Sequence, residues 1–261
     1  MICEVVCSEV ADMQEIIEFI KSAKHLVAFT GAGVSVLSGI KDFRGKNGLY
    51  KTMNAEKIFD LDVFHADPSF YYSQAKDFVY NLDEKEPACT HRVLAKLEKL
   101  GFLKALITQN IDMLHQKAGN ERVIEVHGSA TQHYCTSCGK EGDEKAVFTK
   151  AQKGEVPHCE YCGGVIKPAI TFFGESLPLK ALNEAISQVA KADALMVLGS
   201  SLTVYPAAAL PSYTLQHGGR IMIVNDMSTS YDSDATLKYN DLGSVFEYLE
   251  KMIDSGVFSS K

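Results

Sequence analysis

The sequence predicts an α/β protein: a doubly wound parallel sheet carrying a helical excursion and a smaller metal-binding module. Three observations predict it. Short β-branched runs without polar alternation recur along the chain, as in strands buried on both faces. Amphipathic helical patterns lie between them. The alternation breaks twice, over an aromatic-rich stretch and over a stretch holding two cysteine pairs.

In chain order, the first helical pattern covers 9–22, with Val10, Met13, Ile16, Ile17 and Ile20 as its apolar positions. "HLVAF", 25–29, reads as the first strand. Residues 46–86 mix aromatic and charged side chains and read as a mobile, partly helical excursion. A helix follows over 90–100, with Val93, Leu94, Leu97 and Leu100 on one face and Gly101 just past its end. "KALIT", 104–108, and "RVIEV", 122–126, are the next strands. Residues 128–167 hold the cysteine pairs and many turn formers. A helical pattern over 178–191, strands "ALMVLG" 194–199 and "RIMIVN" 220–225, and a helical pattern over 243–253 complete the sheet. Segments 1–45, 87–127 and 168–261 are thus three parts of one sheet domain, with 46–86 and 128–167 inserted into it.

A chain of 261 residues suffices for one large domain bearing a small one, and 46% hydrophobic residues can fill its core. With 33 acidic and 26 basic side chains the net charge is −7, which argues against a nucleic-acid partner and suits a cationic one such as a lysine-rich peptide. No apolar run approaches the ~20 residues of a membrane span. "MICEVVCSEVADMQ" lacks a basic n-region and a clear cleavage site, so no signal peptide is expected. Four of the seven cysteines form two tight pairs, which fits a reducing, cytoplasmic setting with a metal site better than a disulfide framework.

Those pairs are Cys135-x2-Cys138 and Cys159-x2-Cys162, twenty residues apart, each running into glycine. The spacing is that of a four-cysteine zinc site. Zn²⁺ held by four sulfurs is closed to water and substrate, so the ion is expected to be structural, stapling a segment with few large apolar side chains. A redox pair and an iron–sulfur cluster are the alternatives; nothing in the sequence favours either. Cys3, Cys7 and Cys89 read as ordinary thiols.

In a doubly wound sheet, ligands bind beyond the C-terminal strand ends. "TGAG" at 30–33 ends the first strand. Gly31 and Gly33 suit a tight turn and close approach of a diphosphate, although a turn of this kind can also occur without a ligand. A dehydrogenase fingerprint would carry glycine at 36, which is Val36, and then a long helix, a second strand and an acid about twenty residues on. Here Gly39 ends the helix early and no strand follows. The diphosphate half is present and the hydride-transfer context is missing. Other strand ends add Gln109, Asn110 and Asp112 in "TQNID", Ser200 and Ser201 in "GSS", and Asn225 in "VND". One such cluster could be helix capping; several on one edge point to a polar ligand. His127 stands on the same edge, where an imidazole suits a general base near neutrality, a structural histidine being the alternative.

Taken in order, "GAGVSVLSGIKDFRG", "TQNIDMLHQKAG", "VIEVHGS", the four cysteines, "KPAITFFGE", "GSSLTVYPAA" and "IVN" resemble the sirtuins, the NAD-dependent protein deacylases, in their compact bacterial or archaeal form. The match runs over nearly the whole chain and implies a Rossmann-like sheet. It further implies that Ala32, Gly33, Asp42, Phe43 and Arg44 line the NAD site near the phosphates and nicotinamide ribose. Asn110 and Asp112, with Ser35 and Ile111, would hold the nicotinamide amide, and Gln109 the ribose, close to His127. Gly199, Ser200, Ser201 and Asn225 would hold the adenosine half. The acyl-lysine peptide would pair as a strand between Phe172, Phe173, Gly174 and Glu175 on one side and the "TVYP" loop with Val204 and Tyr205 on the other, Phe173 and Val204 walling the apolar lysine stem. The implied reaction consumes NAD: the acetyl oxygen attacks the ribose C1′, nicotinamide leaves, and His127 takes a proton from a ribose hydroxyl, so that O-acetyl-ADP-ribose and free lysine result. A mono-ADP-ribosyltransferase and a zinc-stapled NAD sensor are the competing readings. A monomer is expected.

Two positions depart from or qualify the pattern. Lys41 stands where most sirtuins carry proline, which would stiffen the loop. Members that prefer succinyl or malonyl groups carry Tyr-x-x-Arg in the helical excursion; here Tyr71 is followed at that spacing by Gln74, and Tyr72 by Ala75. A neutral short acyl group, acetyl above all, is expected.

Overall fold

The computed structural model describes residues 13–42, 48 and 55–261. Helix α1 occupies 13–22 of this range. Strand β1, Leu26–Thr30, is followed by a 3-10 helix, Ala32–Ser38, which stops at Gly39 as expected. Three short helices follow, α2 (Ala55–Ile58), α3 (Leu61–Ala66) and α4 (Pro68–Ala75). Next come α5 (Cys89–Lys99), β2 (Leu103–Thr108), α6 (Leu114–Ala118) and β3 (Val123–Glu125). β4 (Gly128–Cys135), α7 (Glu144–Gln152) and β5 (Ile166–Ile170) form the cysteine-bearing segment. The chain continues through α8 (Leu179–Lys191), β6 (Ala194–Leu198), α9 (Leu210–Gln216), β7 (Arg220–Val224), β8 (Leu237–Tyr239) and α10 (Leu242–Asp254).

Six strands make one sheet in the order β3-β2-β1-β6-β7-β8, all neighbours parallel. Alternate residues of each strand serve opposite layers. Leu26, Ala28, Leu106, Met196 and Met222 face one layer, where α1, α5 and α10 contribute Ile16, Ile20, Leu94, Leu97, Phe246 and Leu249. Val27, Phe29, Ile107, Val197 and Ile223 face the other, against Ala185 and Val189 of α8 and Leu210 of α9. Burial on both faces is why these strands lack polar alternation. Each Val or Leu so buried contributes about 1.5–3 kcal/mol.

Five expected strands are present within a residue or two. Three more were not legible in the sequence: β8, and the antiparallel hairpin β4–β5 that makes a second, two-stranded sheet. All residues of β8 are only half-buried, and β4 is a polar run, so neither carries the apolar signature. The described part of the aromatic excursion is helical and closely packed. Phe59, Phe64, Tyr71, Tyr72, Tyr80 and Phe172 share one buried cluster, with Asp60 and Asp67 capping α3 and α4.

Candidate active site

The chain leaves β1 and β6 in opposite directions along the sheet, so the crevice beyond their C-terminal ends is its switch point. Both loops there are glycine turns, and they pack on each other. Gly31 N–H donates to Leu198 O, and Gly33 N–H to Gly199 O, each at 2.9 Å. A Cβ on Gly33 would stand 2.7 Å from Gly199 Cα, and one on Gly199 would stand 2.6 Å from Val34 N. Gly199 also has a φ of 60°. Close approach of a diphosphate is the demand expected from the sequence. The structure adds a second one, made by the protein itself, and commits the Gly33 N–H to it.

Behind the crevice lies a buried polar network. Thr30 and Thr108 end β1 and β2 as register partners, and Thr30 Oγ1–H donates to Thr108 Oγ1 at 2.9 Å. Thr30 Oγ1 then has only lone pairs to offer His115 Nε2, 3.0 Å away, so His115 carries its proton there. Thr108 Oγ1 accepts the Asn110 N–H at 3.0 Å. Asn110 Nδ2 donates to Gly31 O and to Ser35 Oγ, both at 3.2 Å. Ser35 Oγ–H donates to Asp112 Oδ2 at 2.6 Å, and Leu114 N–H to Asp112 Oδ1 at 3.0 Å. His91 closes the network: its Nδ1 accepts the Ala88 N–H at 3.1 Å, leaving the proton on Nε2, 3.4 Å from Ser35 Oγ. Burial pushes the His91 imidazole down to about 4, against the pull of Asp112, so the ring is neutral near pH 7. Two non-glycine residues with left-handed backbone flank the crevice, Met113 (φ 59°) and Leu202 (φ 52°). Each holds roughly 1–3 kcal/mol of strain, as residues at ligand sites often do.

His127 follows β3. Its Nδ1 lies 3.0 Å from Gln109 O. A carbonyl only accepts, so Nδ1 carries the proton and Nε2 keeps a lone pair. Burial lowers the ring below its ordinary pKa, partly offset by the Gln109 hydrogen bond, and keeps it neutral near pH 7. Gln109 Nε2 donates to Ser200 Oγ at 2.8 Å, tying the ends of β2 and β6 together. Asn225 is held by its Nδ2 donating to Met227 O at 2.8 Å and its N–H to Tyr239 O of β8 at 3.0 Å.

These loops open into one cavity of about 280 Å³. Gly31, Ala32, Gly33 and Asp42 line it after β1. Gln109, Asn110, Ile111 and His127 line it after β2 and β3, and Gly199, Ser200, Ser201 and Asn225 after β6 and β7. Phe172, Phe173, Gly174 and Glu175 meet Val204 and Tyr205 in the same cavity. Ser35 and Asp112 lie behind Asn110 and are not part of the lining. Phe43 and Arg44 fall outside the described residues, and Lys41 is exposed. Among the described residues no Lys or Arg lines the cavity. Tyr71 and Tyr72 are buried at 1% and 0% exposure inside the aromatic cluster.

The four paired cysteines are free thiols whose sulfurs all lie within 4.8 Å of one another. Cys135 Sγ is 3.5 Å from Cys162 Sγ, and Cys138 Sγ is 3.7 Å from Cys159 Sγ. Four sulfurs at about 2.3 Å from one ion are about 3.8 Å apart, so the set fits a tetrahedral metal. Each pair is a turn closed by glycine, with Gly139 N–H donating to Cys135 O and Gly163 N–H to Cys159 O, both at 2.9 Å. Ser137 N–H donates to Cys135 Sγ at 3.4 Å, a contact that favours the thiolate a metal takes.

The Sir2 family model matches residues 31–206, over half of the chain. The chain belongs to the Sir2 family. An NAD-dependent protein deacetylase of Thermotoga maritima is 44% identical over 247 residues, which is 95% of this chain and 99% of that protein. A deacetylase of Fusobacterium nucleatum is 46% identical over 233 residues, 87% and 86% of the two chains. A solved structure of Sir2 with a p53 peptide and NAD superposes with a TM-score of 0.85 at 42% identity, covering 95% of this chain and 99% of that one. A His-to-Ala variant of Sir2 with a deacetylated p53 peptide and 3′-O-acetyl ADP ribose gives 0.87 at 43% identity, with the same coverage.

Several site residues of this Sir2-family chain carry no signal that singles them out in the sequence. Phe59, Leu177 and Met227 also line the cavity, beside Thr203 and Pro206 of "TVYP", Ile170 and Thr171 of "KPAITFFGE" and Asp226 of "VND". Thr30 and Thr108 could have been found, since both end strands on the ligand-binding edge. His91 could not: it reaches Ser35 across 56 residues of chain from a helix with no other part in the site.

Proposed function

We propose that this Sir2-family chain is an NAD-dependent protein lysine deacetylase. The observation that carries the proposal is His127, with its bare Nε2 in the same cavity as the polar strand ends and the 172–175 turn. Bound NAD supplies the ribose carbon and hydroxyls that take over the acetyl group. Asn110 and Ile111 meet the nicotinamide amide, and Ser35 and Asp112 fix Asn110 from behind through their hydrogen bonds. Gln109 positions the ribose, and Gly199, Ser200, Ser201 and Asn225 hold the adenosine half. His127 Nε2 accepts a proton from a ribose hydroxyl. Phe172 to Glu175, Val204 and Tyr205 hold the peptide, with Phe173 and Val204 around the apolar lysine stem. The products are nicotinamide, O-acetyl-ADP-ribose and free lysine, with one water consumed.

The thiol tetrahedron supports one structural Zn²⁺ at Cys135, Cys138, Cys159 and Cys162. We divide the chain at 45, 86, 127 and 167, with the zinc module over 128–167, and take the enzyme to be a cytoplasmic monomer. No described helix is long and apolar enough to cross a membrane. The lack of a cation in the described lining supports a neutral acyl group. Mass spectrometry of an acetyl-lysine peptide incubated with enzyme and NAD tests the function. Loss of the acetyl group is expected; gain of ADP-ribose on the peptide would instead make the protein a mono-ADP-ribosyltransferase.

A further inference from the structure

Lys167 is a lysine with 1% of its surface exposed. It sits on β5, opposite Tyr134 of β4 and next to the Cys135–Ile166 pair that borders the thiols. Its Nζ donates to Glu175 Oε2 at 2.8 Å, to Ile170 O at 2.8 Å and to Pro168 O at 3.3 Å, which uses all three ammonium protons. The same Nζ stands 3.8 Å from the centre of the Phe172 ring. Glu175 is equally committed. Its Oε2 also accepts the Phe172 N–H at 2.7 Å, and its Oε1 accepts from Tyr134 Oη at 3.4 Å.

A buried ion pair of this kind adds little net stability over apolar side chains of the same volume. What it fixes is geometry. One ammonium ties the end of β5 to both ends of the 172–175 turn. The middle of the turn is held from the other side, where Phe173 N–H donates to Phe59 O at 2.7 Å and Leu61 N–H to Phe173 O at 3.1 Å. Gly174 makes no main-chain hydrogen bond among the described residues, and it lines the cavity. The turn therefore presents one residue, Gly174, with both its N–H and its C=O open, as pairing with an extended peptide requires.

We infer that Lys167 is a positioning residue for substrate binding, acting through Glu175 to hold the 172–175 turn in its peptide-accepting shape. This rests on the reading that the turn binds the acyl-lysine peptide. It assigns Glu175 to the support of that turn, with its carboxylate turned away from direct peptide contact. It also runs a rigid connection from the thiol-bearing hairpin to the substrate through the Tyr134–Lys167 pair.

The test is steady-state kinetics of the full chain with an acetyl-lysine peptide, varying peptide and NAD separately, on Lys167→Met, Lys167→Arg and Glu175→Gln. Lys167→Met is expected to raise the peptide KM by about 10-fold or more, the loss of a charge-assisted hydrogen bond, while the NAD KM stays within about 2-fold. Lys167→Arg should largely restore the peptide KM, because it keeps the charge and the donors. A purely structural role would lower thermal stability and active-enzyme yield without moving the two KM values apart. A folded Lys167→Met enzyme with unchanged peptide KM, or Arg and Met variants equally impaired, would overturn the inference. Should Lys167→Met fail to fold, Glu175→Gln, which keeps volume and an acceptor for Phe172 N–H, probes the same connection: a raised peptide KM supports it and an unmoved one refutes it. A wild-type enzyme that removes no acetyl group refutes the proposed function, and the inference with it. An active wild type with an unmoved variant KM refutes the inference alone.

Discussion

Gly33→Ala separates two reasons for a glycine in the first turn. If the residue serves only a bound diphosphate, alanine leaves the free protein untouched and weakens NAD. The structure predicts otherwise. The added Cβ would stand 2.7 Å from Gly199 Cα and 2.9 Å from Gly199 O, both backbone atoms of the neighbouring loop. Neither can swing aside as a side chain would, so the β1 and β6 loops must part. Overpacking of this kind costs about 1–3 kcal/mol. Parting also lengthens the 2.9 Å bond from Gly33 N–H to Gly199 O, worth about 1 kcal/mol. The sum, roughly 2–4 kcal/mol, lowers the melting temperature by roughly 4–16 °C for a chain of this size. Thermal unfolding without NAD is the assay, with Gly119→Ala as comparison. Gly119 has a φ of 104° but no atom within 4 Å of an added Cβ, so only backbone strain of about 1–2 kcal/mol applies. An unchanged melting temperature for Gly33→Ala, with a raised NAD KM, would refute the packing argument.

Other expectations concern the base, the thiols and the acyl pocket. His127→Ala should reduce deacetylation by about 100-fold or more, the usual contribution of a general base, with NAD binding retained; near-normal turnover removes His127 from the mechanism. Because burial lowers the His127 pKa, the neutral, active form persists below an ordinary imidazole's range, and activity should fall on the acid side only below about pH 6.5. A kcat/KM profile whose acid limb lies above pH 7 contradicts that sign. Cys159→Ser should lose bound zinc, measured by atomic absorption, and destabilise the protein; a zinc-free variant of normal stability would make the thiol cluster dispensable. Succinyl-lysine peptide should react at least about 10-fold more slowly than acetyl-lysine, since no described cation is placed to pair its carboxylate; comparable rates would show that a cation reaches the acyl group.

What the sequence disclosed follows from where each residue's partners lie. β1, β2, β6 and β7 bury almost every residue, and a run such as "ALMVL" carries that fact in itself. β8 and the β4–β5 hairpin depend on partners instead. Leu237 to Tyr239 are half-buried and stay in register with β7, while polar β4 is held by β5 and ends at Cys135 of the thiol cluster. The same division runs through the site. The strand-end rule brought "TGAG", "TQNID", "GSS" and "VND" to one crevice, and Ser35 bonds to both Asn110 and Asp112 just behind it. The groups that hold those side chains were hidden. His91 meets Ser35, and Lys167 meets Glu175, through contacts that exist only after folding. Glu175 was legible as part of "FFGE", but its inward carboxylate was not. Phe43 and Arg44 lie outside the described residues.

Above all, this Sir2-family chain is expected to cut NAD in order to remove acetyl groups from lysine. The most direct test counts nicotinamide released against acetyl-lysine consumed in one reaction of the purified wild-type enzyme. One nicotinamide per acetyl group is predicted, with each acetyl recovered as O-acetyl-ADP-ribose and no consumption of NAD beyond that ratio. Nicotinamide release that ignores the acetyl peptide, or deacetylation that proceeds without NAD, would contradict it.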